Sequence, residues 1–280
     1  MFYAMWLEGQ MLWNMPLLAC LICLAAIYVY VVASYTNIKF YQKQPLLNFL
    51  SLGIMYLTFG SPFETISHLS FSLHMLQMSI LYFIISPLFV LGIPDSIIQS
   101  IREHSLTKRV SKFVLPPPKA ALYAFGALFL MYHFPIVLTF LARTAFVHNG
   151  YLFVLLLLSF RMWQPITVPD PKKDHSREQK KRYLFLSGLV IMPACLLFII
   201  TAFIGGMNNP LLSELTANLC ISPSQLSQLS SLDILPSSFN TRLDQMFAGV
   251  LMLGMHKFGV ILTVRLGKKT KGGAVVGVVD

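Results

Sequence analysis

The sequence predicts an all-α fold, a polytopic membrane bundle of about seven transmembrane helices with the N-terminus outside and the C-terminus cytoplasmic. Three observations carry this reading. The 280 residues are 56% hydrophobic and only 11% charged, with a mean hydropathy of +0.68, which is more apolar surface than a soluble domain can bury. The apolar runs reach roughly 20 residues, the length that crosses a ~30 Å hydrocarbon core as helix, and the alternation of a β-barrel strand is missing. Lys and Arg gather in every second loop, which sets the orientation because positive loops stay on the cytoplasmic side.

The predicted spans cover residues 11–34, 46–62, 66–94, 119–141, 146–168, 183–205 and 242–266. The second is the shortest. The third is long, and Pro87 and Pro94 predict a kinked or ragged inner end. The N-terminal "MFYAMWLEGQ" has no basic n-region and no small-residue cleavage site follows, so the first span reads as retained rather than as a signal peptide.

Lys39 and Lys43 follow the first span; Arg102, Lys108, Arg109, Lys112 and Lys119 lie between the third and fourth; Lys172, Lys173, Arg177, Lys180, Lys181 and Arg182 follow the fifth; Lys268, Lys269 and Lys271 come after the seventh. The alternate loops hold only Arg143 and Arg242. A net charge of +10 is thus the signature of a basic inner face beside anionic lipid, and no nucleic acid is implied. One membrane domain spans residues 1–280, with a basic cytoplasmic loop at 95–118 and an extracellular loop at 206–241. In the first loop Ile97, Ile98, Ile101 and Leu106 alternate with charges as in an interfacial helix, stopped by Pro116 to Pro118. In the second, Leu226, Leu229 and Leu232 follow Pro223 at helical spacing and suit a lid on the outer surface.

Orientation gives each polar side chain a depth. His68, His74, Met75 and Met78 belong to the outer half of the third span, His133 of "MYHFP" to the outer end of the fourth, and His148 to the start of the fifth. At about 100° per residue, His68 and Met75 lie roughly 20° apart, with His74 and Met78 within ~120° of His68. On the seventh span, measured from Asp244, Met255 lies near ~20°, Ala248 near ~40°, Met252 near ~80°, Gln245 near ~100°, His256 near ~120° and Gly249 near ~140°. Acid, amide, imidazole and thioethers therefore share one face with the small residues that let helices approach. Lys257, near ~220°, points elsewhere; it and Arg161 lie toward inner ends, where long stems snorkel to the headgroups.

Imidazole and thioether donors without a thiolate-rich motif suit copper, with Met favouring Cu(I). Zinc wants Cys, His and carboxylate, and a di-iron bundle wants several Glu; neither set is present. Other roles fit some of these residues equally: a lone membrane histidine such as His133 or His148 suits a helix-to-helix hydrogen bond, Met75 and Met78 suit core packing, and Asp244 suits a cap on the seventh helix. Cys20 and Cys23 form a C-x-x-C within the first span, Cys195 lies in the sixth and Cys220 in the outer loop; small apolar filler is the simpler reading of the pair. No G-x-S-x-G, H-E-x-x-H, P-loop or dinucleotide fingerprint occurs, so no enzymatic turnover is predicted.

"GSPFETISHLSFSLHMLQM" with "SPLFVLGIP", then "MYHFP", "MWQP" and "DQMFAGVLM" resemble, in this order and over nearly the whole chain, the bacterial CtaG family of membrane proteins. The resemblance implies an assembly factor for caa-type cytochrome c oxidase, linked to its copper-bearing CuA centre. It maps the family's His and Met motif onto His68, His74, Met75 and Met78, and its D-Q motif onto Asp244, Gln245 and Gly249. Where some relatives carry a second histidine after the H-M-x-Q run, this chain has Met78, which keeps a soft donor.

The expectation is a multi-pass protein of the bacterial plasma membrane that binds copper through His68, His74, Met75, Met78, His133, Asp244, Met252 and His256. Its expected partners are the copper-bearing subunit of a caa-type oxidase, an extracytoplasmic copper chaperone and the lipid bilayer. Two competing classes fit the same residues: a haem-binding electron carrier, since two facing histidines can ligate haem axially, and a receptor whose polar outer pocket holds an organic ligand.

Overall fold

The computed structural model describes residues 13–36, 38, 41–67, 70–103, 116–142, 144–168, 177–205 and 241–270, and every element among them is helical. In chain order they are α1 (Met15–Tyr35), α2 (Lys43–Phe59), α3 (Phe63–Ser67), α4 (Phe71–Gly92), α5 (Asp95–Glu103), α6 (Pro118–Tyr132), α7 (Pro135–Ala142), α8 (Ala145–Thr167), α9 (Arg177–Gly205) and α10 (Thr241–Thr270). Five are long and apolar enough to cross a membrane: α1, α4, α8, α9 and α10. The other two predicted spans are helical but shorter. The second is the 17-residue α2, and the fourth is divided into α6 and α7.

Local chemistry explains the boundaries. Asn14 caps α1 by accepting the Leu17 N–H at 3.0 Å, with Pro16 in the first turn where its missing N–H costs nothing. Ser70 caps α4, its hydroxyl accepting from Leu73 N at 3.4 Å. α6 stops at His133–Phe134 because Pro135 disfavours helical geometry in the residue before it and lacks a donor of its own. The amphipathic stretch after α4 is helical over Asp95–Glu103; the rest of the basic loop at 104–115, and the loop at 206–240 with its expected lid and Cys220, lie outside the described residues.

Side-chain contacts fix the packing directions. Trp13 stacks on Tyr56 and Tyr28 meets Phe49, so α1 and α2 are antiparallel. The Gln77 amide reaches Thr58 O while Gly92 lies against Asn48, so α2 and α4 are antiparallel. Tyr151 Oη donates to Leu128 O at 2.7 Å and Arg161 Nε to Pro116 O at 3.1 Å, which runs α8 against α6. Thr201 meets Gln245 and Cys195 meets Gly249, which runs α9 against α10. Arg161 therefore secures the start of α6, also donating to Gln164, whereas Lys257 is exposed.

At the centre is α4, whose most apolar stretch is 83% buried, against 11% for α1 at the periphery. Phe71, Met75, Met78, Tyr82 and Phe83 of α4 join Phe125 and Phe129 of α6, Trp163 of α8, Phe198 of α9 and Met252 of α10 in one core. The kinked or ragged inner end predicted from Pro87 and Pro94 takes the form of a π turn ahead of Pro87 and a helix end ahead of Pro94. α4 passes through Pro87 and ends at Gly92, ahead of Pro94, because residues Leu81–Ile85 form a π turn. The Ser86 N–H bonds back to Leu81 O, five residues away, and the wider turn relieves the clash of the proline ring with the carbonyl four residues earlier. Tyr82 O, which would take the Ser86 N–H in an α-helix, accepts instead from Trp163 Nε1 at 2.8 Å. Phe83 O, deprived of a donor at Pro87, faces Gly259 of α10 where a Cβ would stand.

That contact tests the packing of α4 on α10. Gly259→Ala drives a methyl into a backbone carbonyl and should destabilise the bundle by ~1–3 kcal/mol. Gly254→Ala on the same helix meets nothing within 4 Å and should be neutral or stabilising by up to ~1 kcal/mol through helix propensity. Thermal unfolding in detergent compares the two.

Candidate metal centre between α4, α6 and α10

Asp244, near the start of α10, binds the start of α4. Its Oδ2 accepts from Phe71 N at 2.8 Å; its Oδ1 accepts from Ser70 Oγ at 2.7 Å, from Ser72 N at 3.2 Å and from the Ser72 hydroxyl. The first N–H groups of any helix lack intrahelical partners, and here a carboxylate from another helix satisfies two of them. Asp244 thus caps α4 from its own place in the first turn of α10. The two serines and two backbone donors engage both of its oxygens, so it orients the residues that follow.

Those residues begin with His74 and Met75, both buried, and continue to Met78. One turn beyond His74, Gln77 is buried and held at both ends of its amide: Nε2 donates to Thr58 O at 3.0 Å and Oε1 accepts from Ser67 Oγ at 2.8 Å. Gln77 fixes the roll of α4 against α2. The sequence flagged it only as the x-Q of "HMLQM", with no hint of its partners. On α10, Gln245 does the same toward α9, its Nε2 donating to Thr201 Oγ1 at 2.6 Å.

His133 occupies the break between α6 and α7 and is fully buried. Its Nδ1 lies 2.6 Å from Phe129 O; a carbonyl only accepts, so Nδ1 carries the proton and Nε2 is the bare lone pair. Nε2 has no hydrogen-bond partner among the described residues. The ring is wedged by Phe129, Tyr132 and Phe198 at centroid distances of 4.9, 5.1 and 4.8 Å, and Phe198 in turn meets Phe71 at 4.9 Å. A histidine whose far N–H is anchored on a backbone carbonyl while the other nitrogen is free has the tautomer and orientation that metal-ligating histidines adopt. His148 takes the helix-to-helix role: its Nε2 lies 2.9 Å from Tyr132 Oη.

The inward face predicted for α10 is observed. Gln245, Ala248, Gly249, Met252 and His256 are buried, while Leu243, Phe247 and Val250 are exposed. Gly249 lets α10 approach α9, since a Cβ there would stand 2.7 Å from Cys195 O. α4 and α10 run parallel: Asp244 is level with residues 70–72, and Gly259 with Phe83. His256 meets Phe83 at 5.2 Å and Trp163 at 6.3 Å. It lies twelve residues beyond Asp244, about 18 Å of helix rise.

The seven predicted ligands among the described residues therefore do not form a single cluster. Asp244, His74, Met75 and His133 belong to the level of the Asp244 clasp, the outer level in the orientation predicted from the sequence, Met78 and Met252 to the next, and His256 to the level of the π turn; His68 lies outside the described residues. No group of three His, Cys, Asp or Glu side chains able to hold a metal occurs among the described residues. Cys20 and Cys23 are exposed on α1 and Cys195 is buried in α9.

Asp244→Ala should orphan the part-buried Phe71 and Ser72 amides and cost up to about 1–3 kcal/mol for each donor left unpaired. Amide hydrogen exchange should accelerate over residues 71–74 before it does in α8, and unchanged protection there would remove the capping role.

The chain was compared with known proteins. No curated protein and no solved structure matches it. The family described as cytochrome c oxidase caa3 assembly factor (Caa3_CtaG) matches residues 14–266, a stretch that runs from the cap of α1 nearly to the end of α10. With its buried histidines, its Asp244 clasp and this match over most of its length, the chain belongs to the family of cytochrome c oxidase caa3 assembly factors.

Proposed function

We propose that this protein is a non-catalytic, copper-binding assembly factor of the bacterial cell membrane that helps deliver copper to the CuA centre of a caa-type cytochrome c oxidase. The family supplies the client. The reading of the cargo rests on one observation above the rest: the buried Nε2 of His133, without a hydrogen-bond partner among the described residues and with its tautomer fixed by Phe129 O, on the level of His74 and Met75. Neutral imidazole and thioether donors suit Cu(I) and release it to a better ligand set. A basic inner face orients this level toward the outside, where an extracytoplasmic chaperone loads the metal and the copper-bearing oxidase subunit receives it.

Each residue then has a part. Asp244 holds the start of α4, Gln77 and Gln245 set the rotation of α4 and α10, and His133, His74 and Met75, together with His68, offer the donors. The protein contributes geometry and a dry environment, with no bond made or broken in the cargo.

Anaerobic titration of the purified protein with Cu(I) should give saturable uptake. His133→Leu should weaken the outer level by at least about tenfold, roughly 1.4 kcal/mol, and His68→Leu with His74→Leu should abolish it. Cells carrying these variants should assemble an oxidase that lacks the CuA absorption band while keeping its haem bands. A Soret band in the protein as isolated, or copper stoichiometry unchanged in the variant that combines His68→Leu with His74→Leu, would defeat the proposal.

A further inference from the structure

His256 is the buried polar group that the outer level leaves unexplained. It is 2% exposed, and neither Nδ1 nor Nε2 has a hydrogen-bond partner among the described residues. A neutral imidazole always carries one N–H and one lone pair, so both go unsatisfied in the middle of a membrane helix, where no water competes. Phe83 and Trp163 flank the ring, and the Trp163 indole N–H is already committed to Tyr82 O. Such a group calls for an occupant.

The donors nearest in level are sulfur. Met252 precedes His256 by one turn on the same face of α10 and is fully buried; residues four apart on a helix are neighbours. Met78 of α4 is buried in the same core. Because α4 and α10 run parallel with Asp244 at residues 70–72 and Gly259 at Phe83, Met78 falls level with Met252. Carboxylate and thiolate are missing from this trio, so its donor set is neutral and soft, the set that selects Cu(I) over zinc, iron or Cu(II).

We propose that His256, Met252 and Met78 form a second, deeper Cu(I) site, separate from the outer level, so that the α4–α10 seam offers soft donors on successive turns from His74 and Met75 inward. The proposal rests on the copper reading of the protein. The seam then stores a second ion in the bundle interior, out of reach of water and oxidants, while the outer ion is handed over.

The test is anaerobic titration of the full-length protein in detergent with Cu(I), against bicinchoninate as competing chelator. Wild type should bind two equivalents; His256→Leu should bind one, and His74→Leu with His133→Leu should bind the other. X-ray absorption of the latter variant loaded with copper should show two sulfur ligands and one nitrogen. Free of metal, His256→Leu should unfold at or above the wild-type midpoint, because it removes an unsatisfied imidazole; a lower midpoint would assign His256 a structural part and overturn the site. One equivalent in wild type, lost in the outer variant and kept in His256→Leu, overturns this inference and leaves the outer site standing. No uptake by wild type overturns both. Uptake in the outer variant without sulfur ligands overturns the assignment of Met78 and Met252.

Discussion

The clasp between Asp244 and the first turn of α4 is the constraint on which the rest of the bundle depends. A single carboxylate takes the Phe71 and Ser72 amides and the hydroxyls of Ser70 and Ser72, tying residues more than 170 positions apart in the chain. Once α4 is fixed at that end, its direction relative to α10 is parallel, and every deeper contact follows from the matched rise of two helices. His74 and Met75 take their level from it, and so does the meeting of Phe83 with His256 and Gly259.

Two amides complete what the clasp begins. Asp244 sets height but leaves α4 and α10 free to roll. Gln77, held by Thr58 O and Ser67, stops that roll on the α2 side, and Gln245, held by Thr201, stops it on the α9 side. Interhelical hydrogen bonds of this kind act where lipid supplies no hydrophobic force between helices. They are directional, so they select one rotation, and that rotation keeps Met75, Met252 and His256 in the core while Leu243 and Phe247 face outward.

Much of this was legible in the sequence because helical periodicity is local. The inward face of α10 could be read from the spacing of Asp244, Ala248, Gly249, Met252 and His256, whereas the fourth span, predicted as continuous over 119–141, is broken at His133 ahead of Pro135. The partner of Asp244 was not legible, since a hydrogen bond between distant segments leaves no periodic trace. The greater depth of His256 relative to His133 followed from their places in the predicted spans, whereas the matching of levels between α4 and α10 needs their pairing to be known. A wheel drawn at a uniform angle per residue also fails across Leu81–Ile85, where the π turn adds to the residues per turn. Pro87 was the signal for that turn, and it admits either a break or a widened helix; the Trp163 indole, waiting for a carbonyl, decides for the second.

The widened turn has an electrostatic consequence. A monovalent cation moved from water into a medium of low dielectric loses its hydration, an idealised cost of order ~20 kcal/mol before the surroundings respond. An ordinary α-helix offers little in return, because its peptide oxygens are spent on its own N–H groups. At Phe83 the donor four residues on is a proline, and the oxygen is directed across the seam toward Gly259, beside the ring of His256. The negative end of a peptide dipole thus stands in the buried seam, where a permanent carboxylate would itself be costly to bury, and would lower the penalty for positive charge without adding a charge of its own.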